Sequence, residues 1–332
     1  MSVAEAGIQP EQSASAAPPL PPGVIVGGPL VQEKLRETYL LLGILYAGSA
    51  AAVVWALVQG IGRVEIAVFA AMFALTTFGI GAGMHRLLVH RSFRCGPVMR
   101  IFFCAIAQMA VQGSLLKWVG NHRRHHLYAD DVGDPHSPHY DGRGYRYVSV
   151  LKGILHAHGA WAFDDTMTDN ELYAKDILAD PTAMFFVRTR WYWYGLSAVF
   201  IPGAIGYWLG GLHVMVGCVL FSGLLRAYLL IMVSSLTGSV CHKYGYRRFK
   251  NVDDASTNEL LSTILTFGEG LHNNHHRFPR DAYISHAWYE FDLNGLIILG
   301  LGKLGLVHDI MHVSERHPTE TAPEARAKPM AS

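Results

Sequence analysis

The chain has 332 residues, 51% of them hydrophobic and only 16% charged, and its mean hydropathy is positive. A soluble domain of that length does not need so much apolar sequence, so a lipid bilayer is the expected solvent for part of it. Its 27 basic and 26 acidic residues leave a formal net charge of +1, which removes the global electrostatic case for a nucleic-acid partner. Cys95, Cys104, Cys218 and Cys241 form no C-x-x-C pair, so they read as reduced, mostly buried thiols rather than a zinc knuckle or a disulfide framework.

Residues 1–30 are rich in Ala, Pro, Ser and Gly and contain no basic-then-apolar leader, so a disordered tail is expected there. Only apolar and small residues occur from Tyr39 to Gly60, a run long enough to cross a hydrocarbon core (span one, 39–60). Arg63 and Glu65 mark a short turn, and span two (66–88) ends in Met84-His85-Arg86-Leu87-Leu88-Val89-His90. Five α-helical residues rotate by about 140°, so His85 and His90 share a target only if the helix lies against the edge of a site or unwinds there. Imidazoles at the mouth of a span would be costly without such a role.

Residues 96–118 are apolar with polar interruptions. A crossing here would put the first two histidine groups on opposite faces of the membrane, so a helix pair in the interface is expected instead. A polar stretch follows with Asp130, Asp131, Asp134 and His136, then a helical layer over 145–190 that alternates aromatics with charges. Two further spans (193–212 and 213–237) form a hairpin turning at Gly210-Gly211. Arg226, inside the second, is expected to be a structural cation facing the bundle. Beyond it come His242, a helix over 258–265, a short apolar helix over 296–306 and a disordered tail from 313.

The expected fold is therefore all-α: four transmembrane helices with interfacial helices, capped by a cytoplasmic helical layer (91–190 and 239–312). Charge fixes its orientation. Twelve of the 27 Lys and Arg fall between 91 and 190, ten after 238 and two before span one, while the two hairpin connections hold only Arg63. By the positive-inside rule both termini and all the histidine groups are cytoplasmic.

Two of those groups repeat one spacing, His122-x-x-His125-His126 and His272-x-x-His275-His276. On a helix, positions i, i+3 and i+4 share a face, and convergent imidazoles suit iron, copper or zinc. With His85, His90 and His242, nine of the eighteen histidines reach one rim. Nine nitrogens are too many for one ion, and four or five each implies two metals with room for oxygen or water. A zinc hydrolase usually needs only three ligands, whereas two irons can share the electrons that split dioxygen. His136, His139, His156, His158, His213, His286, His308, His312 and His317 lack this spacing. Of them His136, in Asp134-Pro135-His136, is the best candidate to support a ligand.

The motifs H-R-L-L-V-H (85–90), N-H-R-R-H-H (121–126) and G-E-G-L-H-N-N-H-H-R-F-P (268–279) resemble those of membrane-bound fatty acyl desaturases of the stearoyl-CoA Δ9 type. The likeness runs from Gly81 to Asp292 and includes D-P-H (134–136), W-x-F (161–163), Y-A-K-D-I-L-A-D-P (173–181) and C-H-K-Y-G (241–245). It implies a di-iron centre on His85, His90, His122, His125, His126, His242, His272, His275 and His276, with dioxygen as co-substrate and no catalytic side chain beyond the metals. The reaction it implies removes two hydrogens from a saturated acyl chain, leaving a cis double bond.

Asp134, His136, Gly238 and Asn273 would stand behind the ligands. Lys117, Trp118, Asn121, Trp161, Arg188 and Arg190 would meet an acyl-CoA, another acyl thioester or a lipid. No H-P-G-G heme segment occurs, so electrons would come from a separate donor of ferredoxin or cytochrome b5 type with its reductase. The protein would be an integral multi-pass protein of a bacterial inner membrane or a eukaryotic endoplasmic reticulum, among membrane lipid.

One departure stands out. The family usually has Asn four residues before the lone histidine, where this chain reads Gly238-Ser239-Val240-Cys241-His242. Hydroxylation or acetylenation at the same centre is the alternative outcome. A non-enzymatic metal carrier fits poorly, because only Arg226 is ionisable along the spans.

Overall fold

The computed structural model describes residues 18–312. About 64% of the structure is helix. Three helices are long and apolar enough to cross a membrane: Gly28–Gln59, Arg63–Val89 and Arg190–His242. The first ends at Gly60, whose φ of 77° suits a residue without Cβ, and Gly62 opens the second with its N–H donated to Glu65 Oε2 at 3.1 Å. The third is folded back on itself. Gly211 sits at φ 74° and ψ −163°, and beyond it Val214, Met215 and Val219 pack on Gly203 and Gly206. Leu57, Val58, Phe200 and Trp208 project outward from these helices with more than half of their surface uncovered, which is the wrong way round for a water-soluble bundle.

The second helix changes character where it meets the site. From Gly79 to Val89 it bonds i→i+5, and the His90 N–H donates to His85 O at 3.1 Å. Such π stretches occur mostly at functional sites. Gly79 and Gly83 make this one possible, because a Cβ would lie 2.4 Å from Ile106 O and 2.9 Å from Phe103 O respectively. The wide coil therefore packs directly on the backbone of Pro97–Gln108.

Two helices, Pro97–Gln108 and Leu115–Tyr128, occupy the stretch where a helix pair is expected, the second capped by Ser114 Oγ accepting from Lys117 N at 3.2 Å. The main core gathers where these two meet the second long helix and the cap, through Met84, Leu88, Phe103, Leu115, Ile177 and Phe186. Arg226 is fully buried and donates to Ser197 O, Ser197 Oγ and Thr76 Oγ1, the bundle-facing structural role expected of it.

Several expectations need correction. The fold is not purely helical: Val24–Val26 pairs antiparallel with Thr166–Thr168, and Arg94–Cys95 with Val307–His308. The first of these takes residues 24–26 out of the expected tail, because a β-branched Val-Ile-Val run finds a partner strand, and the helix already starts at Gly28 rather than Tyr39. Residues 1–17 and the expected tail at 313–332 lie outside the described residues. The helix placed at 258–265 spans Leu260–Leu265, and the one placed at 296–306 spans Leu293–Lys303, opened by Asp292 Oδ1 accepting from Gly295 N.

Candidate metal centre

The nine histidines converge in two sets. His85, His90, His122, His126 and His275 bring one ligand atom each to within 4.8 Å of one another, and so do His125, His242, His272 and His276. The first set depends on the π coil, since i→i+5 bonding puts His85 and His90 on one face and their rings pack edge to face at 4.8 Å. Along Leu115–Tyr128, His122 and His126 serve the first set and His125 the second, so one turn of helix reaches both. His272–Arg277 repeats the device: His275 joins the first set, His272 and His276 the second.

Carboxylates fix the rings from behind. His125 Nδ1 lies 3.0 Å from both oxygens of Asp134, His242 Nδ1 lies 2.7 Å from Asp130 and His276 Nδ1 lies 2.7 Å from Asp254. In the other set His85 Nδ1 is 2.5 Å from Glu269. Each of the three aspartates accepts a hydrogen bond from an Nδ1–H, which keeps the proton on Nδ1 and turns Nε2 toward the site.

Burial alone would raise Asp134 and Asp254, but His125 and His276 outweigh it, so both stay ionised well below the usual carboxylate range. Burial likewise opposes ionisation of Glu269, and Arg86 and His85 overcome it, bringing that carboxyl down to about 2. For the imidazoles, burial holds His122, His126, His272 and His275 well below 6.5, so they are neutral and able to bind a cation.

The arrangement fits a metal on its own evidence. His125 and His276 both donate Nδ1–H to a carboxylate, yet their Nε2 atoms face each other at 3.3 Å. Two lone pairs at that distance repel unless a cation lies between them. His90 Nε2 and His242 Nε2 are buried with no hydrogen-bond partner among the described residues. The donor set is imidazole nitrogen only, which suits a transition metal rather than calcium or magnesium.

A cavity of about 570 Å3 opens from these histidines. His85, His122, His125 and His272 form its polar end, and Leu41, Tyr46, Val111, Leu230 and Ile231 its apolar wall between the first and third long helices. Its size and lining are those of a site for an apolar ligand with one reactive end.

Residues 64–294 match the family model for fatty acid desaturase. The chain belongs to the fatty acid desaturase family. Like other members, this desaturase is an oxidoreductase. It is 35% identical over 254 residues to a hex-5-enoyl-[acyl-carrier protein] acetylenase from Moorena producens, covering 75% of this chain and 78% of the relative. It is 34% identical over 252 residues to an acyl-CoA C20 Δ5-desaturase from Anemone leveillei, 74% of either chain. An sn-1 stearoyl-lipid 9-desaturase from Anabaena variabilis is 33% identical over 234 residues, covering 70% of this chain and 78% of the relative.

Of the residues expected behind the ligands in this desaturase, Asp134 bonds His125, and the ring of His136 packs 4.4 Å from that of His125. Gly238 faces His136, whose Nδ1 would be 3.1 Å from a Cβ there. Asn273 is elsewhere: its carboxamide bonds Phe249 N and O, pinning the 249 loop rather than an imidazole.

Lys117, Trp118, Asn121 and Trp161 line the cavity, and Trp118 stacks on His122 at 5.0 Å. Arg188 and Arg190 do not. Arg188 is exposed at the end of Pro181–Arg188, and Arg190, at the start of the next helix, is held by Glu37 and Val187 O instead. Sequence reasoning missed Asp130, Asp254 and Glu269. Glu269 had a signal in the G-E-G-L-H run, and the two aspartates had none.

Proposed function

We propose that the chain is a four-span membrane acyl desaturase that removes two hydrogens from a saturated acyl chain and leaves a cis double bond. In this reading two iron ions occupy the five-histidine and four-histidine sets, and with dioxygen and externally supplied electrons they provide the oxidising power. The observation that carries it is the division of nine imidazoles into two facing sets at the end of an apolar cavity. The fold-back at Gly211 supports counting Arg190–His242 as two crossings, with both termini on the basic, cytoplasmic side. A ferredoxin- or cytochrome b5-type protein with its reductase is the proposed electron source.

The chain's own residues do the rest. The apolar wall holds the acyl chain against the histidines and excludes water, and placement within about 0.5 Å decides which C–H pair reacts. Trp118 and Trp161 flank the reactive end, while Lys117 and Asn121 face the polar head of an acyl thioester or lipid. Asp130, Asp134 and Asp254 hold the ring protons of His242, His125 and His276 on Nδ1 and so keep their Nε2 atoms aimed inward, and Glu269 packs against Nδ1 of His85.

A second outcome at the same centre is favoured by one feature. Gly238 places no side chain beside the four-histidine set, and one relative is named as an acetylenase, so hydroxylation or triple-bond formation is the competing product. Expression in a host lacking unsaturated fatty acids, with mass spectrometry of acyl products and iron counted per chain, tests both readings. New monounsaturated chains with two irons support desaturation. Oxygenated or acetylenic products transfer the assignment to the alternative, and the absence of any acyl product removes it.

A further inference from the structure

Arg124 lies between ligands His122 and His125 and His126 in sequence but points away from them. Its side chain is almost fully buried, at 2% exposure, and its Nε and Nη1 have no hydrogen-bond partner among the described residues. A guanidinium is a cation at neutral pH. A buried cation without partners is strongly unfavourable unless an anion completes it.

The nearest acids are already committed. Asp134 accepts from His125 and from the backbone N–H groups of Asp130 and His136, and Asp164 accepts from His156 and Gly142 N.

What Arg124 faces is a second, smaller cavity of about 40 Å3, room for a few water-sized groups. Lys34, Lys117, Asn121 and Trp161 line both it and the acyl cavity, so the small space is the head of the large one. Lys34 reaches over it to the carbonyls of Asp164 and Thr166, and Lys117 pairs with Glu37 at 2.6 Å. Asn121 Oδ1 accepts from Thr168 Oγ1, leaving its amide nitrogen to donate into the cavity. Asn170 turns a carboxamide to the same space, and rotation of that group exchanges its two ends. Donors and positive charge therefore dominate a compact site.

We propose that Arg124, with Lys34, Lys117 and Asn121, forms an oxyanion subsite at the head of the acyl cavity, binding a phosphate or carboxylate carried by the acyl substrate. The proposal rests on the acyl-desaturase reading and names what that substrate has beyond its apolar chain. Three sources share the chemistry: the phosphate of a pantetheine arm, the phosphate of a lysolipid and the carboxylate of a free acid.

The test uses the full chain, iron-loaded and embedded in lipid discs, with matched substrates of one acyl length. These are acyl-pantetheine against acyl-4′-phosphopantetheine, monoacylglycerol against lysophosphatidic acid, and a fatty-acid methyl ester against the free acid. In the wild type one charged member should show a KM about 10- to 100-fold below its uncharged counterpart, the range of a charge-assisted hydrogen bond, and that pair identifies the source. Arg124→Gln should erase the difference, Arg124→Lys should restore part of it, and turnover of the uncharged substrate should stay within twofold.

The proposal is overturned if no charged member gains in the wild type, if the gain survives Arg124→Gln, or if that variant weakens charged and uncharged substrates equally, as a purely structural arginine would. Should the wild type convert none of the six, the desaturase reading has failed. The subsite is then judged alone by titrating tryptophan fluorescence with inorganic phosphate. A saturable change present in the wild type and absent in Arg124→Gln sustains it, and identical curves remove it.

Discussion

Replacing Asp254 by Asn tests whether the carboxylates behind the histidines hold the metal centre together. The Asp254 side chain is fully enclosed, with Oδ2 2.7 Å from His276 Nδ1 and Oδ1 accepting from Ser256 N at 2.9 Å. A carboxamide keeps that shape and removes the charge, and it can turn its amide toward His276 and force the proton onto Nε2, the wrong nitrogen for a ligand. Loss of a charge-assisted hydrogen bond is worth about 1.5–3 kcal/mol, or roughly 10- to 150-fold in affinity at that site.

The loss should fall on one metal. Asp254, Asp130 and Asp134 all support the four-histidine set, whereas Glu269 supports the five-histidine set through His85. In a chelator titration followed by iron analysis, Asp254→Asn should release one iron at a chelator concentration about 10- to 100-fold below that of the wild type and keep the other near its wild-type midpoint. Glu269→Gln should reverse the order. If both irons leave together in either variant, or if neither midpoint moves, the separate support of the two sets is refuted.

Acid should weaken the metal-free protein early. Burial and the neighbouring cations, partly offset by Asp254, bring His276 from 6.5 down to about 4, so its contribution is complete above pH 6.5 and lost as the pH falls toward 4. Each such histidine removes about 1.4 kcal/mol per pH unit in that window, and a thermal-melt series from pH 7 to 4 should show midpoints falling throughout. Gly238→Asn drives a side chain into His136, and roughly tenfold slower turnover with an altered product pattern should appear by mass spectrometry. Gly223→Ala would place a Cβ 1.8 Å from Ala198 O inside the third long helix, and a destabilisation of about 1–3 kcal/mol should register as a lower melting temperature. Ile231→Trp fills part of the apolar wall and should shift product toward shorter acyl chains, read from the product profile with a mixed-length substrate pool.

The convergence of the histidines was legible because H-x-x-H-H is a local pattern: helix geometry alone aims three rings together, and two copies leave little room for accident. The supporting carboxylates were not legible, since nothing local connects Asp130 to His242, 112 residues away, or Asp254 to His276, 22 residues away. The pairing of His85 with His90 was visible as a spacing that an α-helix cannot use. The resolution lies in the i→i+5 coil, which depends on glycines meeting the backbone of another helix rather than on apolar periodicity.

The apolar runs gave away the long helices but not their starts, because hydropathy does not register the charged turns that precede a span, as Gly28–Gln59 does by beginning eleven residues before Tyr39. Arg188 and Arg190 misled for a related reason: a basic residue near a polar layer is equally at home on its outer surface.

Arg86 sits next to His85 and reaches Glu269, Asp292 and Ala282 O, while Glu269 also touches His85 itself. A group that joins the membrane domain before its hundredth residue is thus locked by partners nearly two hundred positions downstream. A ribosome must release almost the whole polypeptide before either histidine set is complete, so on the di-iron reading loading belongs to the last stage of biogenesis. Chains truncated before residue 292 should emerge inserted in the bilayer and devoid of iron, with no half-built intermediate to scavenge it.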